Sequence, residues 1–330
     1  MQQSQKLDGL QIARAVAALS IAYFHSWHVT MLFPTGTSYP IPILRDYGWI
    51  AVDFFFAISG FVICLVTTSP HFAPLPFLIR RIFRLYPLWI ATSFVFLELT
   101  RFLGRNERQT DAFFNWSLTL LPTEGFPFYD LGWSLQHEMA FYVLAAVTVP
   151  LFGLRGLIAA LIAGLVAHHS MMLPWYFEQF FSYYGNFLAG IMAYLTYQRA
   201  SRFGVVIPVL ICAALFFVLP FGRATYPIPL YFALIAFLNI PAKSQIGVAL
   251  GDASYSIYLI HPLVFAFIYI RLQPPLPPEW MQEPLRFGAM AATCLIGLLS
   301  WRLYEKPMMR LGDSIIGFVA GWWAARRQPA

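Results

Sequence analysis

Residues 10–33 read LQIARAVAALSIAYFHSWHVTMLF, an apolar run interrupted by two ionisable side chains, Arg14 and His25. A run of this length can cross a bilayer once as an α-helix, which takes about 20 apolar residues. Ionisable groups are costly in hydrocarbon, so one inside such a run marks a functional site by default. Arg14 and His25 are eleven residues apart. At 100° per residue they fall on one helix face, about 16 Å apart along the axis. The guanidinium then lies near one membrane surface and the titratable imidazole deeper, in a cavity. The competing reading is two unrelated residues, Arg14 snorkelling to the headgroups and His25 held by a neighbouring helix. His28, one turn beyond His25, faces a similar way and can line the same vestibule.

Composition agrees with a membrane protein. Of the 330 residues, 59% are hydrophobic and 11% charged, against about 25% charged in a soluble domain. Mean hydropathy is +0.64. The net charge of +6 does not point to nucleic acid, because the basic residues fall in short loops where they set topology. Cys64, Cys212 and Cys294 lie in separate apolar stretches, with no metal-binding or disulfide spacing. The N-terminus lacks the pattern of a cleavable signal, since Asp8 and Arg14 interrupt it and no small-residue cleavage site follows.

The expected architecture is all-α and polytopic, with ten spans at about 10–33, 48–69, 85–104, 132–152, 154–169, 179–198, 204–221, 226–241, 254–272 and 285–304. An even count puts both termini on one side. Placing them in the cytoplasm gathers Arg80, Arg81, Arg84, Lys306 and Arg310 inside, against Arg45, Arg105, Arg108 and Arg223 outside. Thr30 to Tyr47 and Arg105 to Leu131 read as outer loops, and the proline-rich stretch Gln273 to Pro284 reads as extended chain. After Lys306, the apolar segment Ser314 to Ala325 is too short to span and reads as an interfacial helix. The division expected is a transmembrane domain, 1–307, and a tail, 308–330.

Polar residues concentrate in spans one, two, four and nine. Asp53 opens the second span and is followed by Ser59 and Gly60, a pair that lets another helix or a ligand approach closely. Arg80-Arg81-Ile82-Phe83-Arg84 precedes the third span. Arg81 and Arg84 face the same way if helical and suit phosphate oxygens, although positive-inside anchoring needs no ligand. In Trp133-Ser134-Leu135-Gln136-His137-Glu138, Ser134 and Glu138 share a face. Glu138 is an intramembrane carboxylate that needs a partner or a proton, whereas His137 points away and reads as interfacial. In the ninth span Ser254, Tyr258 and His261 form one polar stripe, either a structural bridge or a reacting group.

In their order and spacing these elements resemble the membrane-bound acyltransferase-3 family, from Leu7 to about Pro307. The match is carried by Leu7-Asp8-Gly9-Leu10 leading into Arg14 and His25; by Asp53 to Phe61; by Arg80 to Pro87; by Trp133 to Glu138; by Ser254 to His261; and by Glu305-Lys306-Pro307. His137 departs from the less polar residue expected before the glutamate. The resemblance implies about ten helices around a central polar cavity in a bacterial inner membrane, and acyl transfer, usually acetyl from acetyl-CoA, to a hydroxyl of a cell-surface glycan or its lipid-linked precursor. The compact form is most similar to bacterial exopolysaccharide O-acetyltransferases. The esterase-like domain that many members add is not expected in this chain.

On that resemblance His25 is the general base or a transient acyl carrier, with Glu138 as its orienter and Arg14 beside the donor. Arg81 and Arg84, with Arg14, would hold the phosphates of acetyl-CoA. Tyr258 and His261 would face a developing oxyanion, and Asp53, Ser59 and Ser134 would meet the substrate. No metal is implied. The partners implied are the glycan acceptor, membrane lipids and polysaccharide assembly proteins. Two other classes fit parts of the pattern: a proton-coupled secondary transporter, which lacks support from any internal repeat, and a non-catalytic scaffold for polysaccharide assembly.

Overall fold

The computed structural model describes residues 2–29, 41–103, 111–219, 225–241, 244–272 and 278–326. Among them the chain is helical, without strands. The helices are α1 Gln2–His25, α2 Pro42–Tyr47, α3 Ile50–Thr67, α4 Pro74–Phe102, α5 Asp111–Leu118, α6 Gly132–Ser170, α7 Trp175–Phe181, α8 Tyr184–Ala200, α9 Val206–Val218, α10 Pro227–Asn239, α11 Gln245–Asp252, α12 Ser254–Leu272, α13 Glu279–Ser300 and α14 Lys306–Arg326. They form two compact units. The first is Met1–Val66 with Ile158–Leu298, the second Thr67–Leu157 with Leu299–Ala330.

Among the described residues five helical segments are long and apolar enough to cross a membrane, or six if a bent pair counts as one span, against the ten expected for the whole chain. α10, with 13 residues, is shorter than a bilayer requires. The α7–α8 segment Trp175–Phe203 meets α9 at a bend of 114°. α1 is polar over its first third and ends at His25, passing into a 3₁₀ turn, Ser26–Val29. α6 covers the fourth and fifth expected spans together. Its 39 residues would measure about 58 Å as one rod, roughly twice the hydrocarbon thickness. Gly153, at φ 67° and ψ −172°, breaks it, a conformation open to a residue without a Cβ.

In the first unit, α1 packs against α10, α11 and α12. Three contacts between α3 and α8 advance in the same direction by four residues on each helix. Asp53 meets Asn186, Ala57 meets Gly190, and Phe61 meets Tyr194. The four-residue step on both helices is ridge-to-ridge packing. It works here because Gly60 and Gly190 each face backbone of the other helix. α12 and α13 run antiparallel, with Phe265 and Ala289 in one buried cluster and Gly297 against Ile257. One cavity of this unit, about 550 Å³ and mostly apolar, lies among α6, α8 and α10, where Leu165, His168, Ala189, Met192, Thr196 and Tyr231 contribute to the lining.

In the second unit, α4 begins at Pro74, a proline at the helix start where its missing N–H costs nothing. The segment Arg80 to Pro87 is thus helix and not a loop. α14 lies along α4, tied by an Arg80–Asp313 ion pair at 2.8 Å and by the Tyr304 hydroxyl, which donates to the Pro87 carbonyl at 3.2 Å. Both members of the ion pair are 59% exposed, so it contributes at most about 1 kcal/mol. Trp89 stacks on Tyr129 at 5.9 Å, and the Tyr86 hydroxyl donates to the Thr119 carbonyl at 2.6 Å.

Three expected loops contain helix. Pro42–Tyr47 is α2, Asp111–Leu118 is α5, and Pro284 lies inside α13 rather than in extended chain. Residues 30–40, 104–110 and 273–277 from those loops, together with Arg223, Lys243 and Arg327, lie outside the described residues. A π-turn, Trp301–Glu305, leads into α14, which continues unbroken through the segment expected to be interfacial.

Candidate functional site

The first unit brings together two histidines that stand 236 residues apart in sequence. His25 closes α1, and His261 lies in the second turn of α12. Nδ1 of His25 and Nε2 of His261 are hydrogen-bonded at 2.9 Å. Their rings stack 5.1 Å apart, within 7° of parallel. His261 has no exposed surface. Its Nδ1 lacks a hydrogen bond of full geometry and faces the carbonyls of Tyr258 and Ile257, one turn back. Nε2 of His25 has no hydrogen-bond partner among the described residues. The His28 ring stands edge-on to His25 at 5.9 Å and donates from Nδ1 to the His25 carbonyl at 2.9 Å. Trp27 stacks on it at 3.7 Å. Tyr258, buried, lies 6.0 Å from His261 ring to ring. Ser254, Tyr258 and His261 are all buried, so this stripe does face the bundle interior. Arg14 is half-buried on the same helix as His25.

Asp53 is buried too and accepts a 2.6 Å hydrogen bond from the side-chain amide of Asn186 on α8. A lone amide within an apolar span was the visible signal for Asn186, and sequence reasoning passed over it. Replacing Asn186 with leucine removes a donor from a buried carboxylate, at a cost of about 1–3 kcal/mol. The purified Asn186→Leu protein should therefore unfold several degrees lower in a detergent thermal melt, and an unchanged midpoint would refute this account of the pair. Ser59, half-buried, adjoins the Gly60 contact, which gives that dipeptide a packing role.

The second unit holds the arginines and the acidic residue. The Arg81 guanidinium sits over the rings of Phe77, at 5.2 Å, and Tyr142, at 4.9 Å. Its Nε is buried without a partner among the described residues. The Tyr142 hydroxyl donates to Glu138, and Glu138 faces Arg81 as a counter-charge. Arg84 follows on the same helical stretch. Ser134 donates to the Leu131 carbonyl at 3.1 Å, closing the first turn of α6. His137, read from sequence as interfacial, is buried. It is 2% exposed, with Nδ1 bonded to the Trp133 carbonyl at 2.6 Å. Glu138 is only half-buried. Among the described residues, no three His, Cys, Asp or Glu side chains converge as metal ligands would.

Residues 7–302 match the family model described as an acyltransferase domain, acyltransferase-3. The chain belongs to the acyltransferase-3 family. Two relatives of this acyltransferase-3 chain are the exopolysaccharide production protein ExoZ of Rhizobium meliloti (strain 1021) and ORF330 of Acidianus two-tailed virus, provisionally named an acetyltransferase. ExoZ is 27% identical over 297 residues, which cover 80% of this chain and 90% of ExoZ. ORF330 is 24% identical over 276 residues, 76% of this chain and 81% of its own. No solved structure matches the chain. With its apolar helices, the protein is a membrane acyltransferase. Tyr142, which with Phe77 frames Arg81 in this acyltransferase-3 chain, reads from sequence as an ordinary span residue. The spacing of four between Glu138 and Tyr142 was the available clue.

Proposed function

We propose that this protein transfers an acetyl group from acetyl-CoA to a hydroxyl of an exopolysaccharide or its lipid-linked precursor, in a bacterial inner membrane with both termini cytoplasmic. The observation that carries the reading is the His25–His261 hydrogen bond. A base must expose one nitrogen while the other is fixed. With His261 accepting at Nε2, the Nδ1–H tautomer of His25 is held and its Nε2 lone pair is free. That nitrogen takes the proton of the acceptor hydroxyl as the oxygen attacks the thioester carbonyl carbon. The C–S bond then breaks, and the coenzyme A thiolate leaves with the proton returned from His25. Tyr258 is assigned to the developing oxyanion. His261 is a positioning residue in this scheme.

Arg81 and Arg84 are assigned to the donor's phosphates. The fit rests on the orphaned Nε of Arg81, a donor suited to an anionic oxygen, with Arg14 as a further cation on the donor side. Because His261 occupies Nδ1 of His25, Glu138 is assigned to set Tyr142 and Arg81 instead of orienting the base. Asp53, Ser59 and Ser134 are assigned to shaping the protein around the acceptor path. ExoZ, by its name, acts in exopolysaccharide production, and this supports a polysaccharide acceptor over a transported solute.

The test is purified protein in nanodiscs with radiolabelled acetyl-CoA and de-acetylated polysaccharide. Label should pass to the glycan. Solute uptake into vesicles without any transfer would support the carrier instead. Replacing Arg81 with alanine should raise KM for acetyl-CoA about tenfold, the loss of one charge-assisted contact, with acceptor KM unchanged. A change confined to acceptor KM would reassign these arginines.

A further inference from the structure

A buried polar cluster at the start of α13 has no part in the chemistry so far. Arg286 is 1% exposed and Gln282 6%. Glu283 forms an ion pair with Arg286 through Oε1. Its second oxygen, Oε2, is buried and has no hydrogen-bond partner among the described residues. Such an orphan costs the full desolvation of a charged group, and ionisable groups within a membrane span are kept for function more often than for stability.

The helix register locates the cluster relative to the histidine pair. Gly297 against Ile257 and Ala289 beside Phe265 fix the α12–α13 alignment, which puts Thr293 level with His261. Arg286 is seven residues before Thr293, so it lies about 10 Å along the axis, two helical turns from the histidine level. The displacement is toward the end where α12 stops and α13 begins. Ala22 and Val29, on either side of His25 in sequence, belong to the same buried cluster as Ala289 and Phe265. The Phe287 ring stands 6.1 Å from that of Tyr23. The polar cluster and the histidine pair therefore share one seam formed by the end of α1, α12 and α13. Trp280, one turn before Glu283, is 75% exposed.

The chemistry of the vacant atom selects the ligand. A carboxylate oxygen calls for hydrogen-bond donors, which vicinal sugar hydroxyls supply. An anionic substituent would be repelled by it. The Gln282 amide offers both donor and acceptor capacity, and an indole face suits the C–H face of a pyranose. The geometry points to a subsite for a neutral sugar residue of the acceptor, built by Gln282, Glu283, Arg286 and Trp280, two turns from the base. This rests on the acyltransferase reading above, since the neighbouring sugar would then present its hydroxyl to His25.

Saturation-transfer NMR on the purified full-length protein in nanodiscs, with cellobiose and methyl glucuronide as probes, tests the subsite without any turnover. Cellobiose should bind the parent protein in preference to the glucuronide. Glu283→Gln and Trp280→Ala should each weaken cellobiose binding at least fivefold, with acetyl-CoA binding unchanged. Trp280 is exposed, so its variant carries the test should Glu283→Gln fail to fold. Equal cellobiose binding in parent and variants, or preference for the glucuronide, overturns the subsite. Acetyl transfer is assayed separately. Sugar binding that is lost in the variants while the parent transfers no acetyl group would uphold the subsite and defeat the enzymatic reading.

Discussion

Replacing His25 with alanine is expected to lower acetyl transfer by about 10²–10⁴-fold, the contribution of a positioned general base, with protein abundance in the membrane unchanged. His25 ends its helix, so the change removes a side chain without interrupting α1. The cost to folding is confined to the ring contacts with Phe24, His28 and His261 and one shared hydrogen bond. Acetyl-CoA binding should persist, because the arginines assigned to it, Arg14, Arg81 and Arg84, keep their side chains in this variant. Full transfer by the His25→Ala protein would remove the mechanism, and the scaffold reading would then gain ground.

His261 separates a base held in one tautomer from a base that merely sits in a polar pocket. His261→Gln still offers an oxygen to accept from Nδ1–H of His25, whereas His261→Ala offers nothing. The glutamine variant should therefore retain markedly more activity than the alanine variant, and the deficit should appear in kcat rather than in either KM. Equal losses in the two variants would reduce His261 to a packing residue.

The structure brings together some of the residues marked in the sequence, and where it differs the physical sources are identifiable. Arg14 and His25 share a helix because an apolar run with 3.6-residue spacing says so locally. The buried stripe Ser254–Tyr258–His261 follows from the same rule. That His25 meets His261 could not be read in this way, since periodicity within a helix is silent on which helix it faces. Asn186 escaped for the same reason, as the partner of the distant Asp53, whereas Tyr142 lay within reach of the four-residue spacing that pairs it with Glu138. His137, read as interfacial, is buried because it finds its own carbonyl one turn back, while Glu138 has the partner expected of it in Tyr142. The break of α6 at Gly153 falls between the two spans expected there, 132–152 and 154–169, whereas the basic run before Pro87 is part of a 29-residue helix.

Substituting valine for Gly190 should abolish the folded protein, a structural effect as large as the catalytic one at His25. A Cβ at this position would stand 2.7 Å from the Phe61 backbone nitrogen and would meet the Ala57 carbonyl even more closely. These are backbone atoms within α3, so no side-chain rotation relieves the clash and the two helices must separate. Overpacking costs about 1–3 kcal/mol even where side chains can yield, and here they cannot. Separation would also draw Asn186 away from Asp53, one turn along both helices, leaving the carboxylate short of a donor. Gly60, against the Phe187 backbone, should behave alike, and Gly60→Ala combined with Gly190→Ala should be no better than either alone, since one separation relieves both clashes. Fluorescence-detected size exclusion of tagged variants checks this. A monodisperse Gly190→Val peak at parental yield would show that α3 and α8 do not pack in the parallel register on which the Asp53–Asn186 pair depends.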